Sequence, residues 1–281
     1  MNSKFGATGL AAAGVLGMAL LGSPALVWAQ ADAPAPAATA DEKLPSAKEV
    51  MDKFIQATGG RAAYEKHTSR VITSTIEIPA QNLKGTSTLT QVAPNKMEMK
   101  AEFPGMGSQT IVSDGENVWE SNSMMGERLY DGDERMAQLR QATFNSELQW
   151  EKLYKDVKVV GSEDVNGKPA WKVEFTTGEG QTSTQFYDKE TGLLTKMTST
   201  LKTQMGEVPM ESSIEGWQEF DGLKMPTKTV QSVMGMQMIM TISDVKHGAE
   251  VPADKFAMPD SVKQLKKDPA APAAPAEAPK N

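Results

Sequence analysis

The chain has 281 residues, a formal charge of −7 and no cysteine. An acidic chain gains neither counterion-release energy from nucleic acid nor attraction to an anionic bilayer, so partners held by broad positive charge are excluded. Without cysteine there can be no disulfide, thiolate metal site, cysteine nucleophile or lipid-accepting residue at a cleavage point, and stability must come from burial.

Residues 1–29 carry a charge at Lys4, an apolar run from Gly9 to Leu21 and the small-residue pattern Val27-Trp28-Ala29. This is the pattern of an export signal cleaved after Ala29. The run is too short and too rich in Gly and Ala for a membrane anchor, which needs roughly 20 strongly apolar residues. Residues 30–45 read as a disordered Ala/Pro linker and 264–281 as a similar tail, since neither can bury enough apolar surface to fold. Between them, 46–263 is long enough for one domain with a large core.

That domain opens with "SAKEVMDKFIQATGG". Ser46 and Glu49 form a capping box, Val50, Met51, Phe54 and Ile55 share one helical face, and Gly59 supplies the stop. A shorter helix is expected from Ala62 to Lys66. From Arg70 the period changes to two, punctuated by Pro94-Asn95, Pro104-Gly105, Asp114-Gly115, Asn166-Gly167, "DKETG" and Asp221-Gly222. These hairpin signals divide about eleven or twelve strands. The stretch from Asp133 to Tyr154 interrupts them with helical spacing through Met136, Leu139, Leu148 and Leu153.

So long a meander, apolar on one face, cannot lie flat without exposing that face. The expected fold is α+β: a single large curved antiparallel sheet forming an incomplete barrel around the N-terminal helix and the mid-chain helical insertion.

Four of the eighteen methionines fall in "MGMQMIMTI". Alternation puts Met234, Met236, Met238, Met240 and Ile242 on one face of a strand, and Met97, Met99, Ala101 and Phe103 on one face of another. Met197 and Leu201, Val208, Met210 and Ile214, and Trp171, Val173 and Phe175 are further inward candidates. Gap-filling core explains the burial of such stripes but not the choice of methionine over Leu, Ile and Val. Cu(I) is a second reading, because thioethers are soft ligands, but same-face neighbours on a strand stand about 7 Å apart and no histidine flanks the stripe. A deformable pocket for acyl chains is the third.

Other chemistry is sparse. His67 ("EKHTS") and His247 ("DVKHG") read as helix-end and strand-end residues without metal-ligand spacing. No GxSxG elbow occurs, and "GMGSQT" lacks the lysine and following helix of a phosphate loop. Asp131/Asp133 lie in a loop, and Glu98/Glu102 read as a solvated strand face. No catalytic residue, metal site or cofactor is expected.

The element order, with "ATGGRAAYEKHTSRVITSTIEIPAQNLKG", "VAPNKMEMKAEFPGMGSQTIVSDGENVWE", "VVGSEDVNGKPAWKVEFTTGEGQTSTQFYDKETGLLTK" and "EFDGLKMPTKTV", resembles the periplasmic lipoprotein-carrier superfamily, in its lipoprotein-sorting-like branch. The resemblance implies a half-open barrel with a helical lid and a cavity for acyl chains. Arg70 lies in a region comparable to that of a lid-holding arginine in well-studied carriers, without a residue-by-residue match.

The expectation is therefore an exported, periplasmic, non-enzymatic carrier of lipid, lipoprotein acyl chains or a similar amphiphile. Its partners would include membrane-associated donor or acceptor proteins but no nucleic acid. The expected cavity residues are Met97, Met99, Phe103, Met197, Met210, Met234, Met236, Met238, Met240 and Ile242, with Met124, Met125, Met136 and Leu139 as rim or lid. The alternative is a structural or sensory interaction module of the same fold with a filled core.

Overall fold

The computed structural model describes residues 43–203 and 206–267; the expected export signal, most of the linker and the end of the tail lie outside them. Two helices, α1 (Ala47–Ala57) and α2 (Arg61–Glu65), lead into six strands: β1 (Ser69–Ile78), β2 (Leu83–Val92), β3 (Lys96–Phe103), β4 (Gly107–Ser113), β5 (Val118–Asn122) and β6 (Gly126–Leu129). The insertion holds α3 (Gly132–Ala142) and α4 (Trp150–Leu153). Seven strands follow: β7 (Asp156–Val165), β8 (Lys168–Thr176), β9 (Thr182–Asp188), β10 (Leu194–Thr203), β11 (Gly206–Phe220), β12 (Leu223–Val233) and β13 (Met236–His247). The chain then enters α5 (Asp260–Lys267), which runs past the boundary expected at 263.

The thirteen strands of the described residues form one antiparallel sheet, ordered β6-β5-β4-β3-β2-β1-β13-β12-β11-β10-β9-β8-β7 and not closed into a barrel. Sequence alone suggests eleven or twelve. The difference lies at "SNSMMGER", which folds as the tight β5–β6 hairpin in which Trp119 pairs with Leu129 and Asn122 with Gly126. Each half of the chain is a meander, and β1 joins the halves by pairing with β13. The two edge strands, β6 and β7, are the ones that the helical insertion connects.

The helix signals hold. Ser46 Oγ accepts from the Glu49 amide at 3.2 Å and Glu49 Oε2 accepts from the Ser46 amide at 2.7 Å, closing the capping box. The apolar face of α1 packs Val50, Met51 and Phe54 on Val173, Phe175 and Tyr187, with Trp171 and Trp217 alongside. Each such fully buried side chain contributes about 1.5–3 kcal/mol. The Phe54 ring meets Tyr187 edge-on at 5.3 Å and Trp217 at 6.2 Å. This defines the inner face of the sheet.

On the other flank, Leu139 of α3 packs against Ile111, Val118 and Tyr130. The outer face there is covered by the C-terminal segment, whose Phe256 and Val262 bury Val112 and Trp119. Lys255 pairs with Glu98 at 2.6 Å. Glu98 is thus a half-buried ion-pair partner under that segment rather than part of a solvated face; Glu102 pairs with Lys100 on the surface.

The turn after α1 is built for close approach. Gly59 has φ +129°, and a Cβ there would sit 2.3 Å from the Gly222 carbonyl oxygen in the β11–β12 turn. The Lys224 amide donates to the Thr58 carbonyl at 2.9 Å in the same seam. Gly59→Ala should therefore cost about 2–3 kcal/mol in urea unfolding. Gly105→Ala also has positive φ but open space around its Cβ, and should cost only about 1 kcal/mol.

Candidate binding face and its rim

Strand register fixes which side chains share the inner face. Starting from the helix-packed Val173, the pairing runs through Gln185, Met197, Ser212, Gln231 and Met238. Met240 pairs with Ile76, Ile242 with Ser74, and Met97 and Met99 with Gln91 and Leu89. The two stripes therefore do face the same side of one sheet, although they belong to strands three apart in its order.

At the end of the sheet where the β1–β2, β3–β4 and β12–β13 turns lie, Ile76, Ile78, Ala101 and Met238 form a buried cluster with Leu83, Phe103 and Met236 around it. All seven residues come from strands; among the described residues no helix contributes to this cluster. Phe103 lies over Gly85, where any Cβ would fall 2.6 Å from its ring. The glycine lets the aromatic ring cover the strand itself.

Met97 and Met238 are buried, while Met99, Met197, Met210, Met236, Met240 and Ile242 are half-buried. The side chain of Leu201 lies outside the described residues. Three thioethers accept from different neighbours: Met236 from Gln81 at 3.5 Å, Met240 from Ser87 at 4.0 Å and Met210 from Gln231 at 2.9 Å. The sulfurs thus have separate polar neighbours rather than one common focus.

Met234 leaves the stripe. The strand starts at Met236, and Met234 occupies the hairpin turn with φ +52° and 66% exposure. An unbroken alternation in sequence hid a turn, because the Met-Gly pair at 234–235 supplies positive φ at both positions. The other rim candidates also divide. Met124 and Met125 are exposed at the β5–β6 tip, Met136 is exposed on α3, and Leu139 is core beneath that helix rather than a free lid contact.

The turns reveal a pattern that strand periodicity missed. "PGMG", "SMMG", "TQMG" and "SVMG" each put a Met-Gly pair at a hairpin connection. The connections β3–β4, β5–β6, β10–β11 and β12–β13 all fall at one end of the antiparallel sheet. Met106, Met124, Met125 and Met234 are exposed there; Met205 lies outside the described residues. This end is the rim of the inner face.

A groove of about 550 Å³ also opens at the rim. Its Thr184, Thr198, Glu211 and Ser232 form a paired row across β9 to β12. That row alternates with Gln185 and Met197, so most of the groove's lining belongs to the outer face. Of the expected cavity residues, only Met210 and Met234 border it.

The insertion is anchored over the inner face through Arg70 and Glu120. Arg70 is buried; its Nε donates to Gln91 Oε1 at 2.7 Å, its guanidinium lies 4.9 Å from the Phe144 ring, and Gln91 donates to the Gln141 carbonyl at 3.1 Å. Glu120 accepts from Gln109, Arg128 and Tyr130, and Arg128 also reaches Glu134 of α3 at 3.1 Å. Burial pushes the Glu120 carboxyl up, but the bonds from Gln109, Arg128 and Tyr130 outweigh it and hold it below the ordinary range.

The opposite end, the base, holds an arrangement with no signal in sequence spacing. His67 precedes β1, His247 ends β13 and Asp221 sits in the β11–β12 turn, yet the two imidazoles stack at 4.9 Å and Asp221 Oδ2 lies 2.7 Å from His67 Nε2. Reading the two histidines as separate boundary residues was incomplete: β1–β13 pairing and the Gly59–Gly222 seam bring them together.

A single open antiparallel sheet with helices on its inner face is an incomplete barrel of the α+β class. The chain is similar in fold to a DUF1329 family protein from Desulfovibrio piger, with TM-score 0.53 and 14% identity, covering 74% of this chain and 96% of that one. It is also similar to a domain assigned to outer membrane lipoprotein sorting from Vibrio parahaemolyticus, with TM-score 0.50 and 12% identity, covering 74% and 95%. A LolA superfamily protein from Nitrosomonas europaea aligns with TM-score 0.48 and 14% identity over 76% of this chain and 99% of that one. No family model matches the chain, and no curated protein matches it.

Because the folded-state pKa of Glu120 is depressed, its stabilisation is present above the unfolded value of about 4.3 and is lost as pH falls through the folded value. Glu120→Gln should remove that contribution. In urea unfolding series at stepped pH, the variant should be less stable than the parent at neutral pH, and the two curves should converge as the solution is acidified below about pH 4.

Proposed function

We propose that this protein is a non-enzymatic periplasmic binding or carrier protein that takes a lipid, a lipoprotein acyl chain or a similar amphiphile on the methionine-rich inner face, entered from the rim. The observation that carries the reading is the cluster of strand residues around Met236 and Met238, which shares its face of the sheet with half-buried Met99, Met210 and Met240 and is bordered by exposed methionines on the hairpin tips. An apolar strip of this kind, left open at one end, fits an apolar ligand better than a solvated surface.

Unbranched, polarisable side chains can repack around chains of different length. At about 0.8 kcal/mol per buried methylene, one long acyl chain supplies most of the affinity without a polar anchor. The likeness in fold to a domain assigned to outer membrane lipoprotein sorting supports the same class of ligand. Among the described residues no helix is long and apolar enough to cross a membrane. Delivery to or from membrane-associated partners belongs to this reading, as does export directed by residues 1–29.

The tight burial of Ile76 and Met238 favours a second reading, an interaction module whose inner face is filled by its own side chains. Ligand binding separates the two. Protein purified without detergent should release lipid on extraction, detected by mass spectrometry, and should bind a fluorescent fatty acid. Met240→Asp or Met210→Asp should weaken that binding at least 10-fold, about 1.4 kcal/mol, while Met234→Asp at the exposed turn should change it less than 2-fold. Absence of copurified lipid together with no measurable probe binding selects the filled module.

A further inference from the structure

The base of the sheet carries a side-chain cluster that the binding face does not use. Among the described residues, His67, Asp221 and His247 form a group of possible metal ligands whose donor atoms all lie within 4.8 Å of one another. They come from three separate places in the chain: the link from α2 to β1, the β11–β12 turn and the last residue of β13.

We propose that His67, His247 and Asp221 form a binding site for a borderline divalent transition-metal ion such as Zn²⁺, with water completing its coordination. Two imidazoles and one carboxylate are a ligand set that such ions take, leaving one position open in tetrahedral geometry. Bonds of about 2.0–2.1 Å put tetrahedral ligand atoms roughly 3.3 Å apart, so donor atoms that lie within 4.8 Å of one another must close by at most roughly 1.5 Å. The imidazoles turn from their present stack to do so. Asp221 sits in an exposed turn and can follow.

A second observation points to an absent ligand. Both ring nitrogens of His247 are buried without any hydrogen-bond partner, and His67 Nε2 lacks hydrogen-bond geometry despite its close approach to Asp221. Buried polar atoms are almost always satisfied; among the described residues these three are the only buried side-chain nitrogens left without a hydrogen-bond partner, the others being carboxylate or amide oxygens of Glu127, Glu134, Gln138, Asn145 and Glu147.

Positive neighbours tune the site. Lys66 donates to Asp221 Oδ1 at 2.8 Å, which orients the carboxylate but places an ammonium against an incoming cation. Arg70, paired with His247 in the β1–β13 register, bonds through its Nε to Gln91. A bound ion would clasp the α2–β1 link, the hairpin turn and the end of the last strand together, at the end of the sheet away from the methionine rim. The inference stands independently of the lipid-binding proposal.

The test uses untagged protein stripped with chelator. Zn²⁺ is titrated in competition with a chromophoric chelator, and Co²⁺ is added separately while visible absorption is recorded. The expected result is one equivalent of Zn²⁺ retained, with Co²⁺ giving the intense visible bands of a four-coordinate site. His247→Gln should weaken Zn²⁺ binding at least about 100-fold, whereas Lys66→Met should tighten it. Unmodified protein that retains no stoichiometric Zn²⁺ and leaves Co²⁺ with its aqueous spectrum overturns the proposal, whether or not the variants fold. Unchanged Zn²⁺ affinity in a folded His247→Gln variant also overturns it.

Discussion

The pairing of β1 with β13 is the contact on which the rest of the molecule depends. It aligns Arg70 with His247 and Ile76 with Met240, joining residues more than 160 positions apart through backbone hydrogen bonds. Each meander on its own would end in an exposed strand with unpaired amide and carbonyl groups. Joined, the two place both chain halves in one sheet and move the free edges to β6 and β7. The same pairing brings the methionines of β13 alongside Ile76 and, beyond β2, near Ala101 and Phe103.

With the edges so placed, helices cover the flanks of the inner face. The aromatic cluster under α1 fills the side formed by β7 to β9, and α3 closes the side formed by β4 and β5. Arg70 and Glu120 tie the insertion down through buried hydrogen bonds to Gln91, Arg128 and Tyr130. Met236 and Met238 pack among strand residues, away from both helices. A side chain that adapts is tolerated there because no fixed helical ridge demands a particular shape. The two ends of the sheet have accordingly different chemistry: thioethers and glycine turns at the rim, imidazoles and a carboxylate at the base.

Much of the architecture was legible because its signals are local. The Ser46–Glu49 capping box, the 3.6-residue spacing through Phe54 and the change to period two at Arg70 each act over a few residues. The inward direction of Met97 and Met238 also follows from alternation within single strands. Alternation failed at Met234 because a two-residue turn preserves the spacing of two while reversing the chain. It failed at Glu98 because the outer face of β3 is covered by a segment that begins some 150 residues later, which no local pattern reports.

Sequence by itself determined most of the elements, the face that each methionine-bearing strand presents, and the absence of cysteine chemistry. Tertiary structure alone decided which strands adjoin, that Met234 belongs to the rim and Leu139 to the core, that the groove across β9 to β12 opens mainly on the outer face, and that His67 meets His247 and Asp221. The physical reason is the range of the forces involved. Capping, propensity and alternation are settled among near neighbours in the chain, whereas the company of a side chain depends on which distant backbones share hydrogen bonds, and in this protein the β1–β13 ladder sets that company.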